Sequence, residues 1–196
     1  GYSNLCDHII APSKSMASII RERGVTAPID VIPTGIYVDR FKSGDGKRLR
    51  KKFNIPENAY LPGYIGRIEE EKNIIFLKRV IGRYLEMDKD AYFLLVGKGA
   101  IKEEFIEECR KRGVENRVIS TGVLLNQDLA DAYNAMDIFT FPSVSETQGL
   151  VLAESMAAGT PVIAIDATGN RDIVINKKNG VLIPEINEDE FINSIK

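Results

Sequence analysis

The stretch IFTFPSVSETQGLVLAESMAAGTPVIAI, residues 138–165, decides how this chain folds. Residues 138–141 form a short apolar run that stops at Pro142, which reads as a buried strand. Residues 142–149 are rich in Ser and end in Gly149, a loop; 150–158 follow as a helix, and 161–165 as a second apolar strand. Strands joined through an intervening helix pair in parallel, so this segment points to a layered α/β protein.

The same alternation continues in both directions. Upstream, 60–65 reads as a strand ending at Gly66-Arg67, 73–86 as a helix and 92–96 as a strand closed by a tight turn at Gly97 and Gly99. A helix at 101–112, a short strand at 117–120 and a helix at 128–134 come next. Downstream, Asn179-Gly180 marks a turn into a strand at 181–183, and a last helix opens at Glu188. Nearer the start, a strand-like run at 8–11 precedes a helix capped by Ser13, which carries Met16, Ile19 and Ile20 and stops at Gly24. A strand at 29–32 breaks at Pro33-Thr34-Gly35; an irregular stretch reaches Phe41, and a basic amphipathic helix surrounds 49–53. This first section reads as a connector. The expected fold is α/β, with a doubly wound parallel sheet and no internal repeat.

Composition sets outer bounds. With 44% hydrophobic residues in 196, the chain can bury a sizeable core. Lys+Arg 26 against Asp+Glu 28 leaves a net charge of −2, which offers no general attraction for nucleic acid. Cys6 and Cys109 lack CxxC spacing, and His8 is the single histidine, too few soft ligands for a zinc site. A reducing, cytoplasmic setting is the default. No apolar stretch is long enough to span a bilayer, so the expected membrane contact is peripheral at most. The chain opens at Gly1 without Met and closes at Ile195-Lys196 inside a helical pattern, so both ends are expected to be cut.

Open parallel sheets bind ligands beyond the carboxyl ends of their strands, which gives four loops functional weight. In Gly66-Arg67-Ile68-Glu69-Glu70-Glu71-Lys72-Asn73, a glycine permits close backbone approach, and Arg67 and Lys72 could clamp a diphosphate. Taken alone, this cluster is better explained as cations paired with Glu69–Glu71 on a solvated helix start. In Ser143-Val-Ser-Glu-Thr-Gln-Gly149-Leu-Val-Leu-Ala-Glu154, the amides of Gly149, Leu150 and Val151 would face the loop mouth as an anion site. Glu154 suits a ribose and Glu146 a sugar hydroxyl, because carboxylates accept paired hydrogen bonds from vicinal diols. A helix-terminus charge at Glu146 and a solvated-face residue at Glu154 explain the segment equally well. Gly97-Lys98-Gly99 lacks the third glycine of a dinucleotide fingerprint and reads as a turn. Gly122-Val123-Leu124 could present main-chain groups to a nucleobase, or merely pack.

Taken in order, these loops resemble glycosyltransferase family 4, whose members have the GT-B fold and a glutamate pair with seven intervening residues, as at Glu146 and Glu154. The resemblance extends through Ile32-Pro-Thr-Gly-Ile36, Gly66-Arg67, Glu71-Lys72-Asn73, Val96-Gly-Lys-Gly99 and Glu154-Ser-Met-Ala-Ala-Gly-Thr-Pro-Val162. It implies a retaining hexosyltransferase whose substrate is a nucleotide-diphosphate sugar, used without a metal or other cofactor. By the same resemblance Arg67 and Lys72 hold the donor diphosphate and Glu154 the ribose. Glu146 holds the transferred sugar, the Gly149 and Leu150 amides the distal phosphate, Leu124 lies near the base, and Gly66 and Gly97 line the site. Residues 1–27 would be the end of an N-terminal acceptor domain and its connector, and 28–196 the Rossmann-like C-terminal nucleotide-sugar-binding domain with its last helices truncated. The partners implied are the nucleotide sugar and the remaining N-terminal domain of the same chain, without which the fragment is expected to be inactive.

Two positions depart from the commonest pattern. Gln148 stands where the family often has an aromatic residue, and Thr168-Gly169-Asn170-Arg171-Asp172 replaces Gly-Gly-x-x-Glu. The Ser-Glu-Thr-Gln-Gly form is similar to that of some bacterial diacylglycerol glucosyltransferases, which points to UDP-glucose and a lipid acceptor. The alternatives are a GT-B epimerase or phosphorylase and a non-catalytic nucleotide-sugar-binding or scaffolding domain. A nicotinamide-dependent dehydrogenase fits less well without a full GxGxxG.

Overall fold

The computed structural model describes residues 2–196, so Gly1, the first residue of the expected 1–27 segment, lies outside them. The first elements are β1 (Ile9–Ala11), α1 (Lys14–Glu22) and β2 (Ile29–Val31). Ser13 caps α1 as its sequence position implies, its Oγ accepting from the Met16 amide at 3.2 Å. β1 and β2 pair in parallel with each other and form a two-stranded sheet separate from the large one.

Two short helices follow, α2 (Val38–Lys42) and α3 (Gly46–Lys52). The stretch before Phe41 is therefore not irregular throughout. α2 buries Phe41 edge-on against Tyr133, a tertiary contact that local propensity does not announce. The basic face of α3 is largely spent inside the molecule. Arg48 and Lys52 pair with Asp128, Arg48 also reaches the buried Asp131, and Arg50 pairs with Asp137.

The large sheet contains β3 (Pro62–Ile65), β4 (Phe93–Val96), β5 (Val118–Gly122), β6 (Ile138–Phe141), β7 (Val162–Ile165) and β8 (Val181–Ile183). Its six strands lie in the order β5-β4-β3-β6-β7-β8 and every neighbouring pair is parallel. The connecting helices are α4 (Ile74–Met87), α5 (Lys102–Lys111), α6 (Asn126–Ala135), α7 (Leu150–Ala157), α8 (Asn170–Ile173) and α9 (Glu188–Ile195). α4 packs with α5 and α9, while α6 packs with α2, α3 and α7, giving the two outer layers of a doubly wound sheet. All of β3, β4 and β7 is buried, which is why they read as unbroken apolar runs rather than alternating ones.

Strand β5 begins at Val118, one residue later than its sequence reading, because Arg117 closes a 3-10 turn. The Arg117 guanidinium donates to the carbonyls of Leu85, Asp88 and Ala91, so it serves the end of α4 instead of the sheet. Helix α6 begins at Asn126, earlier than expected, and α8 arises between the strand at 161–165 and the turn at 179–180, where the sequence assigned no element.

Candidate functional site

The strand order reverses between β3 and β6, the switch point at which open parallel sheets bind ligands beyond the carboxyl ends of their strands. The loop after β3 carries Gly66, Arg67 and Lys72, and the loop after β6 carries Glu146 and Gly149. The topology therefore gathers at one place the two segments that the sequence marked separately.

Polar contacts stitch the two loops together. Asn73, in a left-handed conformation at φ 58°, donates from Nδ2 to the Pro142 carbonyl at 3.1 Å. Ser145 Oγ donates to the Glu71 carbonyl at 2.8 Å. Tyr64, fully buried in β3, donates from Oη to the Arg67 carbonyl at 2.8 Å and pins the near end of the first loop. The Gly97-Lys98-Gly99 turn lies under it. A Cβ on Gly97 would stand 1.9 Å from the Gly66 carbonyl oxygen, and one on Gly99 2.2 Å from that of Ile68. Both glycines answer to backbone packing of the Gly66 loop.

Lys72 crosses between the loops. Its Nζ stands 3.3 Å from Glu146 Oε2 and 3.4 Å from the Ser145 carbonyl, with side chains only 14% and 18% exposed for Lys72 and Glu146. The other Glu146 oxygen accepts from the Thr147 amide at 3.0 Å and the Gln148 amide at 3.4 Å. Burial alone would raise this carboxyl, but the Thr147 amide and the Lys72 ammonium outweigh it, and the group titrates below its ordinary value. Arg67 does not join Lys72; its exposed guanidinium pairs with Glu71, one helical turn away in sequence. The charge cluster is thus divided: Arg67 makes the surface pair that the plainer interpretation expects, and Lys72 does not.

Gly149 caps α7 at φ 65° and ψ 34°, where any Cβ would also press on Ile173 and Leu152 at 3.2 Å. Among the described residues, the Leu150 and Val151 amides in the first turn of α7 donate to no protein acceptor, so they are free for an anion. Glu154, one turn further on, is half-buried and accepts from Tyr133 Oη at 2.8 Å through Oε2. Burial raises the Glu154 carboxyl above its ordinary value despite the Tyr133 hydrogen bond and nearby Arg40. It is not a solvated-face residue. Leu124 is half-buried and packs against the core, in the loop that follows β5.

Three residues that the sequence marked only as departures from the commonest pattern, with no role assigned, also take part. Asn170, fully buried, donates from Nδ2 to the Ser143 carbonyl at 2.9 Å and the Ile165 carbonyl at 2.8 Å, tying the Glu146 loop to the end of β7. Gly169, at φ 82°, brings its backbone so close that a Cβ would lie 2.4 Å from the Glu146 carbonyl oxygen. Gln148 donates from Nε2 to Thr34 Oγ1 at 2.7 Å, which links the loop to the segment after β2. Beside this contact a cleft of about 570 Å³, lined by Lys14, Thr34, Gln148, Leu150 and Asp172 among others, separates the small sheet from α7. Among the described residues no group of three or more His, Cys, Asp or Glu could hold a metal ion, and no helix is long and apolar enough to cross a membrane.

A doubly wound sheet with an anion-ready helix start and a cation–carboxylate pair at its switch point is a Rossmann-like unit of the kind that GT-B glycosyltransferases contain. Residues 45–196 match the family described as glycosyl transferases group 1, and the chain belongs to that family. The alpha-monoglucosyldiacylglycerol synthase of Streptococcus pneumoniae is 30% identical over 93% of this chain and 42% of its own. The GDP-mannose-dependent alpha-mannosyltransferase of Mycobacterium tuberculosis is 30% identical over 92% of this chain and 44% of its own. Sucrose-phosphate synthase from Thermosynechococcus elongatus superimposes with a TM-score of 0.83 at 28% identity, over 97% of this chain and 48% of the other. Anabaena HepE in complex with UDP and glucose shares the fold with a TM-score of 0.87 at 24% identity, over 98% of this chain and 54% of the other. The chain thus spans less than half the length of the two curated relatives it is compared with.

Proposed function

We propose that the loops after β3 and β6 bind a nucleotide-diphosphate hexose, as the donor half of a retaining transferase similar to glycosyltransferase family 4. One observation carries this reading: Lys72 and Glu146 meet at 3.3 Å beside the open first turn of α7, at the switch point of the sheet. Lys72 and Arg67 hold the diphosphate, and the Gly149 and Leu150 amides take the distal phosphate. Glu154 accepts from the ribose and Glu146 from the transferred sugar, while Leu124 lies toward the base and Gly66 and Gly97 line the site. Charge that develops on the departing diphosphate is met by Arg67, Lys72 and the helix amides.

UDP-glucose is the donor to test first. HepE was crystallised with UDP and glucose, and a monoglucosyldiacylglycerol synthase among the relatives makes a glycerolipid the first acceptor to try. Acceptor recognition belongs to an N-terminal domain of the same chain, of which residues 1–27 are the end, and peripheral membrane contact would follow from a lipid acceptor. The 196-residue chain alone is expected to bind donor and turn over little. Calorimetric titration with UDP, GDP, ADP and their glucose and mannose conjugates tests the reading. Saturable binding to one nucleotide family supports it; no binding to any would favour a scaffold that has lost its ligand.

A further inference from the structure

Tyr133 occupies a place that the donor-binding roles above leave unexplained. It lies in α6, its side chain is fully buried, and its ring packs edge-on against Phe41 and Phe139 with centroids 5.6 Å away in each case. Its backbone is fixed too, since the Tyr133 carbonyl accepts from Thr160 Oγ1 at 2.7 Å. A ring held on two sides by aromatic neighbours has one way to point its hydroxyl, and that hydroxyl donates to Glu154 Oε2 at 2.8 Å.

Three consequences follow for Glu154. A tyrosine buried this deeply keeps its proton, so its hydroxyl stays available as a donor to Glu154. The bond engages Oε2, which leaves Oε1 with no protein donor among the described residues. It also narrows the orientations open to the carboxylate, because the otherwise broad terminal torsion of a half-buried glutamate is restrained when one oxygen is anchored to a rigid hydroxyl. A bidentate acceptor for a vicinal diol needs this kind of preset orientation. We infer that Tyr133 is a positioning residue that sets the Glu154 carboxylate for the two hydroxyls of the donor ribose.

This inference rests on the proposed role of Glu154, and the two can fail separately. The alternative is that the bond simply ties α6 to α7 and that nothing outside the protein uses Glu154. The test compares UDP, GDP and ADP, each against its 2′,3′-dideoxy counterpart, binding to wild type, Glu154→Gln, Tyr133→Phe and the double variant, with thermal unfolding as a check on folding. Wild type should prefer the ribonucleotide by about tenfold or more, the scale of one hydrogen bond to a charged group. Glu154→Gln should remove most of that preference. Tyr133→Phe keeps the ring between Phe41 and Phe139, so it should bind the dideoxynucleotide as wild type does while losing most of the preference. The double variant should match Glu154→Gln.

Tyr133→Phe that keeps the full preference overturns the inference alone, and so does a variant that loses ribose and dideoxy ligand equally, which marks a packing role. Wild type that binds no nucleotide, or binds both forms equally, overturns the role of Glu154 together with that of Tyr133. Should Tyr133→Phe not fold, 3-fluorotyrosine placed at position 133 keeps the hydroxyl and changes its strength as a donor; the ribose preference must then move while dideoxy binding stays fixed, and an unmoved preference overturns the inference.

Discussion

Lys72→Ala should separate what Lys72 does for the fold from what it does for a ligand. Its Nζ lies 3.3 Å from Glu146 Oε2, with 14% of one side chain and 18% of the other exposed. At an effective dielectric constant of about 20, unit charges at that spacing attract by roughly 5 kcal/mol before desolvation and lost rotamer freedom are charged against them. Exposed pairs come out at about 0–1 kcal/mol, whereas breaking a fully buried pair costs about 3–5 kcal/mol. Lying between these limits, Lys72→Ala should destabilise the chain by about 2 kcal/mol, a fall in Tm of about 4–8 °C at this size. Much of that cost is the Glu146 charge left without its partner, so adding Glu146→Gln should recover a good part of it. Scanning calorimetry with and without nucleotide reads both functions. At a hundredfold excess over Kd a ligand stabilises by about 2.7 kcal/mol, which Lys72→Ala should largely abolish. A variant that keeps the whole nucleotide-induced rise would remove Lys72 from the diphosphate site. Unchanged apo stability, with no recovery from Glu146→Gln, would show that the pair contributes nothing to the fold.

The two glutamates should respond to pH with opposite signs. Glu146 titrates below the ordinary 4.5 in the folded chain, so its contribution is complete above that pH and is lost as pH falls through the lowered value. Glu154 titrates above 4.5, so its contribution is complete below that pH and is lost as pH rises through the raised value. In urea unfolding from about pH 3 to 8, Glu146→Gln should flatten the acid limb and Glu154→Gln should raise stability at neutral pH relative to acid; the reverse pattern would refute the assignment of environments. Gly169→Ala places a Cβ 2.4 Å from the Glu146 carbonyl oxygen at a φ of 82°. It should cost about 2–3 kcal/mol in thermal unfolding and displace the Glu146 loop, with loss of nucleotide binding. An unperturbed variant would mean that the loop is not held from this side.

Strands buried on both faces were legible because their apolar runs need no partner to be recognised; β4, β6 and β7 fall within a residue of their sequence readings. Boundaries moved where a side chain serves a distant element, as Arg117 does at the end of α4. α2 escaped because it has only five residues, one of them buried, and depends on α6 and α7 for its existence. In the site, residue type and loop position pointed to Arg67, Lys72, Glu146 and Glu154, but pairing could not be read. Lys72 and Glu146 are 74 positions apart, whereas the carboxylates that sequence placed beside Lys72 turn elsewhere. Tyr133 reads as core, and it is core; only the direction of its hydroxyl makes it more.

The resting contacts of the two cations also rank them. Arg67 pairs with Glu71 on the surface, where both side chains are more than half exposed, and such a pair is exchanged for a new anion at little cost. Lys72 is held by a half-buried carboxylate and a carbonyl, so moving it to a diphosphate requires that Glu146 find another donor. On the proposed reading that donor is a hydroxyl of the transferred sugar. A bare nucleoside diphosphate would leave Glu146 without a replacement, whereas the nucleotide sugar supplies one in the same event that takes Lys72 away. On that reading the ion pair would couple recognition of the sugar to recognition of the phosphate, and would give the complete donor an advantage over its leaving group that neither Arg67 nor the α7 amides could provide by themselves.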